Sequence, residues 1–167
     1  VVLGLAALLA LWVGAGLALV ALSGPFEPSG RYVDIGGRKL RLVCAGPKSA
    51  QPVIWMEAGA WGLAADFAAV QQRLSGKGIR SCAYDRAGMG FSDPGPRPRD
   101  SAAIAGDLHK LIAASGETGP FVFMAHSMAG QHIRLYAGQH PEQVAGLVLL
   151  EATTPDMAER PEAQKFL

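Results

Sequence analysis

Residues 1–22 contain only Val, Leu, Ala, Gly and Trp12, with no charged or hydrogen-bonding aliphatic side chain to give the run a polar face. At about 1.5 Å per residue such a helix is roughly 33 Å long, which matches a hydrocarbon core of about 30 Å. The pattern predicts a transmembrane helix over 1–22. A cleaved signal peptide is the rival, with Ala21-Leu22-Ser23 as its cleavage site, but the run exceeds the usual apolar core of about 7–15 residues. A buried globular helix would carry some polar positions. The chain opens on Val1 without an initiator Met, so further residues are expected ahead of it. The Pro, Gly and Ser content of 23–30 reads as a linker.

From Arg31 the pattern changes. Residues 32–35 and 39–44 alternate apolar and polar side chains around Gly36-Gly37, which predicts an antiparallel hairpin. Residues 52–56 form a continuous apolar run, as in a strand buried on both faces of a parallel sheet. Leu63, Phe67, Val70 and Leu74 recur at helical spacing before Gly76 and Gly78. Residues 79–84 read as a strand and 87–99 as a loop rich in Pro and Gly. Asp100 or Ser101 then caps a helix bearing Ile104, Leu108, Leu111 and Ile112, which ends at Gly116. A strand from Phe121, a helix to about His140 and a strand over 145–150 complete the order. Strands alternating with helices imply a mostly parallel sheet with helices on both faces, an α/β fold. The domain division expected is 1–22 membrane helix, 23–30 linker and 31–167 α/β domain.

Half of the 167 residues are hydrophobic and 17% are charged, for a formal net charge of +1. That composition excludes a disordered chain, and no basic patch points to nucleic acid. No Cys/His cluster has metal-ligand spacing, so no metal or other cofactor is expected.

Ser127 stands where the strand from Phe121 must turn abruptly into the next helix. Such a nucleophile elbow lifts one hydroxyl above the sheet in a strained backbone conformation, and it needs small residues two before and two after the serine. Ala125 and Ala129 meet that demand, although Gly is the commoner choice at both places and Gly130 comes one position late. A serine nucleophile also needs a histidine base and an acid. Only His132 and His140 follow it. His132 lies five residues down the helix, too far from the elbow tip to act as base. His126 alternates to the other side of its strand, and His109 and His140 read as solvated. The base is therefore expected outside this sequence.

Four stretches, 56–59 (M-E-A-G), 84–99 (Y-D-R-A-G-M-G-F-S-D-P-G-P-R-P-R), 126–130 (H-S-M-A-G) and 147–156 (L-V-L-L-E-A-T-T-P-D), occur in the order in which the chain resembles the α/β-hydrolase superfamily, in particular its membrane-anchored or exported bacterial members. The resemblance covers about 31–156. It implies eight strands with the second antiparallel to the rest, of which this chain reaches the sixth. It also implies an oxyanion hole from the backbone N–H groups of Ala60 and Met128, where two donors aimed at one developing oxyanion are worth about 3–4 kcal/mol each. Gly59 alternatively serves only a tight turn, and Trp61 and Phe67 either wall the pocket or belong to the core. Asp85, Arg86, Gly88 and Gly90 fail as a phosphate loop, because no helix opens directly after them and no Lys follows the glycines. The resemblance makes that loop structural. Glu151, closing the last strand, is either the acid of a shifted triad or a structural carboxylate. Cys44 and Cys82 fall on strands that the superfamily's order makes neighbours, so they are a disulfide in an exported domain or two buried thiols otherwise.

The function implied is hydrolysis of an ester or amide through an acyl-enzyme on Ser127, by a domain tethered on the extracytoplasmic side, with the catalytic histidine and acid beyond this sequence and the chain inactive alone. The substrate is a small-molecule ester or amide. A membrane-tethered binding module of the same fold that has lost catalysis is the alternative.

Overall fold

The computed structural model describes residues 2–23 and 28–157. Half of the expected linker, at 24–27, and the segment 158–167 lie outside them.

Helix α1 (Val2–Leu22) carries no polar face, and none of residues 4–22 is buried against the rest of the protein. It is long and apolar enough to cross a membrane. The hairpin β1 (Arg31–Asp34) and β2 (Lys39–Ala45) pairs Val33 with Leu40. Its turn is held by the Asp34 carboxylate, whose Oδ1 accepts from the N–H groups of Gly36 and Gly37 at 2.7 and 2.9 Å. Both glycines have positive φ, 102° and 87°, a backbone that other residues adopt only with strain. Those two amide bonds hold the Asp34 carboxyl below its usual pKa.

Strands β3 (Ile54–Glu57), β4 (Ser81–Tyr84), β5 (Phe121–His126) and β6 (Val144–Leu150) complete a sheet of order β1-β2-β4-β3-β5-β6, in which β2 runs antiparallel to both β1 and β4 while β3, β4, β5 and β6 are mutually parallel. β3 and β4 are central and almost wholly buried, as the continuous apolar run leading into β3 requires of that strand.

Helices α3 (Ser101–Ser115) and α4 (Ala129–Gln139) cover one face, burying Leu108, Leu111, Ile133 and Tyr136 against Trp55, Phe121, Phe123 and Ala125. The other face packs Met56 and Ala83 beneath Ala64 and Phe67. Asp100 caps α3, its Oδ1 accepting from Ala103 N–H at 2.9 Å, and Gly116 ends it at φ 71°. Asp107 on α3 pairs with Arg38 of the hairpin and with Arg99 of the loop that precedes the helix, tying both to it.

One element departs from its sequence pattern. The expected helix through Leu63, Phe67, Val70 and Leu74 is broken into a 3-10 turn over Ala64–Phe67 and a shorter α2 (Ala68–Ser75). The break rotates the register, so Val70 is exposed while Gln71 is buried, its amide donating to Val43 and Ser81 carbonyls at 3.0 and 3.2 Å. A polar side chain satisfied by two backbone acceptors takes the place expected of an apolar one.

Cys44 and Cys82 sit directly opposite each other on β2 and β4 and are joined as a disulfide. Their Cα separation of 4.1 Å is slightly under the usual range of about 4.4–6.8 Å.

Candidate active site

β5 ends at His126, α4 starts at Ala129, and Ser127 between them has φ 53°. A non-glycine residue in the left-handed region needs surrounding structure to hold it there. Three backbone hydrogen bonds hold it: Ser127 N–H donates to Leu150 O at 3.0 Å, and Ser127 O accepts from Gly130 N–H at 3.0 Å and from Thr153 N–H at 2.9 Å. The end of β6 and the segment after it thus pin the turn from outside. Ala125 and Ala129 are fully buried, so the space on either side of the turn admits a methyl group and is closed beyond it. Gly130 has its own reason. A Cβ there would stand 2.6 Å from the Ala152 Cβ, so glycine at 130 lets that pinning segment lie against α4.

After β3 the chain makes a tight turn, with Gly62 N–H donating to Gly59 O at 3.2 Å. Gly59 has no positive φ to explain it. A Cβ at Gly59 would instead come within 3.0 Å of His126 Nδ1 and 3.2 Å of the Ser127 Cβ, so glycine here suits the close approach of this loop to the elbow, where a methyl group would have to push its neighbours aside. Arg86 lies behind the loop. Its Nη1 donates to Ala58 O, and its Nη2 donates to Gly59 O at 2.5 Å and to Ala60 O at 2.9 Å. Among the described residues, neither Ala60 N–H nor Met128 N–H donates to any acceptor within the protein. Both residues border one cavity of about 1030 Å³, which Trp61, Met89, Pro94 and Arg97 also line. Of the two aromatic side chains considered for the pocket wall, Trp61 is 87% exposed at that cavity and Phe67 is buried in the core.

Beneath the loop is a polar cluster that the sequence pattern did not reveal. Glu57, at the end of β3, is 1% exposed. Its Oε1 lies 2.5 Å from His132 Nδ1 and 3.7 Å from Arg86 Nη1, while its Oε2 accepts from the Tyr84 hydroxyl at 2.9 Å. Burial, and then the Glu57 charge, push the Tyr84 hydroxyl well above its usual pKa, so it stays protonated and donating. His132 is separated from Glu57 by 75 residues, and its place five residues down the helix from Ser127 carried no signal of that pairing. It makes no hydrogen bond to Ser127.

The remaining candidates fall elsewhere. Asp85 is fully buried, pairs with Arg41 at 3.0 Å, and accepts from Ala64 N–H at 2.8 Å and Phe91 N–H at 3.1 Å, a structural role that fastens three segments together. His109 and His140, expected in solvent, are half-buried and stacked face to face at 4.1 Å. His126 is exposed beside Gly59, and Glu151 is exposed at φ 44° with no ion pair to a histidine among the described residues. None of the four histidines is hydrogen-bonded to Ser127.

Comparison with known proteins agrees with this architecture. A family model described as the alpha/beta hydrolase fold matches residues 53–167. The chain is 33% identical over 144 residues to a protein of Hormonema carpetanum named as the probable transporter efuK, covering 81% of this chain and 20% of that one. Among solved structures it resembles an esterase from Exiguobacterium antarcticum, with TM-score 0.67 and 26% identity over 76% of this chain and 47% of the esterase. It also resembles epoxide hydrolase A from Mycobacterium thermoresistibile, with TM-score 0.64 and 27% identity over 74% and 39% respectively. The chain spans under half the length of each of these proteins. With the family match over residues 53–167, the six-stranded sheet whose second strand is antiparallel to its neighbours as expected, and the strained turn at Ser127, the chain belongs to the α/β-hydrolase fold family.

Proposed function

We propose that this chain carries the nucleophile and the oxyanion hole of a membrane-anchored serine hydrolase that cleaves small-molecule esters or amides through an acyl-enzyme. The Ser127 hydroxyl attacks the carbonyl carbon, and the oxygen of the resulting tetrahedral intermediate, now negatively charged, is received by Ala60 N–H and Met128 N–H. Collapse of the intermediate expels the alcohol or amine and leaves the acyl group on Ser127 Oγ. Water then hydrolyses that ester. A histidine base, which takes the Ser127 hydroxyl proton and passes it to the departing alcohol or amine, and an orienting acid come from sequence beyond residue 167, since His132 is committed to Glu57 and the other three histidines make no bond to Ser127. Dehalogenase and epoxide-hydrolase chemistry in this fold resembles families with an Asp nucleophile, and serine at the elbow argues against both.

The observation that carries the reading is the pairing of a serine at φ 53° with two unspent amides, Ala60 and Met128, bordering one cavity. Helix α1 supports the membrane anchor, and the Cys44–Cys82 disulfide supports an extracytoplasmic domain. The test is turnover of activated esters by the full-length protein and by this 167-residue chain. The full-length protein should turn over, Ser127→Ala should abolish that turnover, and the short chain should be inactive. An inactive full-length protein would favour the tethered binding module instead.

A further inference from the structure

We propose that Arg86 is a positioning residue for the oxyanion loop, held in place by Glu57, so that Arg86, Glu57 and His132 form a buried strut from that loop to the helix that carries the nucleophile. The inference rests on the serine-hydrolase reading for its catalytic consequence, and on geometry alone for its structural one.

The argument begins with the peptide plane. In a trans peptide the C=O and the N–H point in opposite directions, so fixing one fixes the other. Arg86 receives the carbonyl of Gly59, which shares a peptide plane with the N–H of Ala60. Holding that carbonyl turns Ala60 N–H away from Arg86, on the side where it has no acceptor within the protein. The bonds from Arg86 to Ala58 O and Ala60 O lock the planes on either side in the same way. Three successive carbonyls are shared between the two terminal nitrogens of one guanidinium, a spread that a planar fork of donors matches better than the single nitrogen of an ammonium.

Arg86 is 5% exposed and needs a counter-charge to be held there, and Glu57 at 3.7 Å supplies it. The same Glu57 oxygen meets His132 Nδ1 at 2.5 Å, on the α4 turn just beyond Ser127. Tyr84 satisfies the other oxygen. Loop, carboxylate and nucleophile helix therefore move as one body. This explains why a buried charge cluster stands where an apolar core would serve packing equally well.

The experiment uses the full-length protein with Arg86→Gln, Arg86→Lys and Glu57→Gln, and Arg73→Gln on exposed α2 as a charge-matched control. Backbone amide hydrogen exchange over 59–62 is read together with kcat, KM and melting temperature. Arg86→Gln is expected to speed exchange in that loop and to lower kcat about 10²-fold with KM little changed, because a misplaced donor is missed mainly in the transition state. Arg86→Lys should fail to restore either value, and Glu57→Gln should lower kcat by a smaller factor, about 10-fold. Should Arg86→Gln fail to fold, Glu57→Gln, which keeps the side-chain volume, carries the test. A folded Arg86→Gln or Arg86→Lys with wild-type loop exchange overturns the strut, as does a lowered melting temperature with unchanged kcat. If the wild-type protein has no esterase activity, the serine-hydrolase reading falls, and loop exchange alone then decides the strut.

Discussion

Ser127 and Gly59 show how single residues are constrained from opposite sides of the same gap. Ser127 occupies a backbone conformation that costs a non-glycine residue about 1–2 kcal/mol. Replacing it with glycine should remove most of that strain, so Ser127→Gly is expected to raise the melting temperature by about 2–4 °C while abolishing activity. A melting temperature that falls would mean that the turn is not strained. Gly59 faces the elbow so closely that an added methyl group would collide with the Ser127 Cβ and His126. Gly59→Ala should therefore push the loop off the elbow and lower kcat about 10²-fold, with stability reduced by about 1–3 kcal/mol. Unfolding curves and steady-state kinetics on the same preparation check both halves of that expectation.

At the scale of elements, the hairpin, the buried strands, the capped α3 and the elbow were all legible, because each is written in local periodicity and punctuation. The Asp100 cap and the Gly116 terminus of α3 are cases where a side chain and a positive φ each do a local job that the residue type announces. What stayed hidden depends on residues far apart in the chain. Glu57 and His132 gave no joint signal, since nothing near either residue encodes the other, and the kink before α2 was hidden because Asp85 organises it from another segment by receiving Ala64 N–H. The stacked His109 and His140 were misread as solvated for the same reason. One tie between elements gives a pH prediction. Arg80 donates to both carboxylate oxygens of Glu117 at 2.7 Å, joining the start of β4 to the end of α3, and that bond, ahead of the opposing effect of burial, holds Glu117 below its usual value of 4.5. A lowered folded-state pKa means that the stabilisation is complete above about pH 4.5 and is lost as pH falls through the depressed value. Glu117→Gln should accordingly be less stable than wild type at pH 7, with the gap closing below pH 4.5. A gap that is constant with pH would show that the pair contributes through packing instead.

For the whole molecule, two surfaces ask for a covering. Helix α1 exposes Leu, Val and Trp12 on every side, which suits lipid, and deletion of residues 1–22 should move the protein from the membrane to the soluble fraction. Among the described residues β6 forms one edge of the sheet, and it presents Leu147, Val148, Leu149 and Leu150 in succession, each 36–40% exposed. An apolar strand with an unpaired edge is a template for association. The 167-residue chain without α1 should therefore self-associate by light scattering, and Leu149→Lys should reduce that association; a monodisperse monomer would show that the edge is already blunted. The central claim is narrower than either surface, since it concerns one hydroxyl. The most direct measurement is mass spectrometry of the full-length protein after reaction with a fluorophosphonate. The account predicts a single phosphonyl adduct located on Ser127 and absent from Ser127→Ala, whereas no adduct, or one that persists in Ser127→Ala, would contradict it.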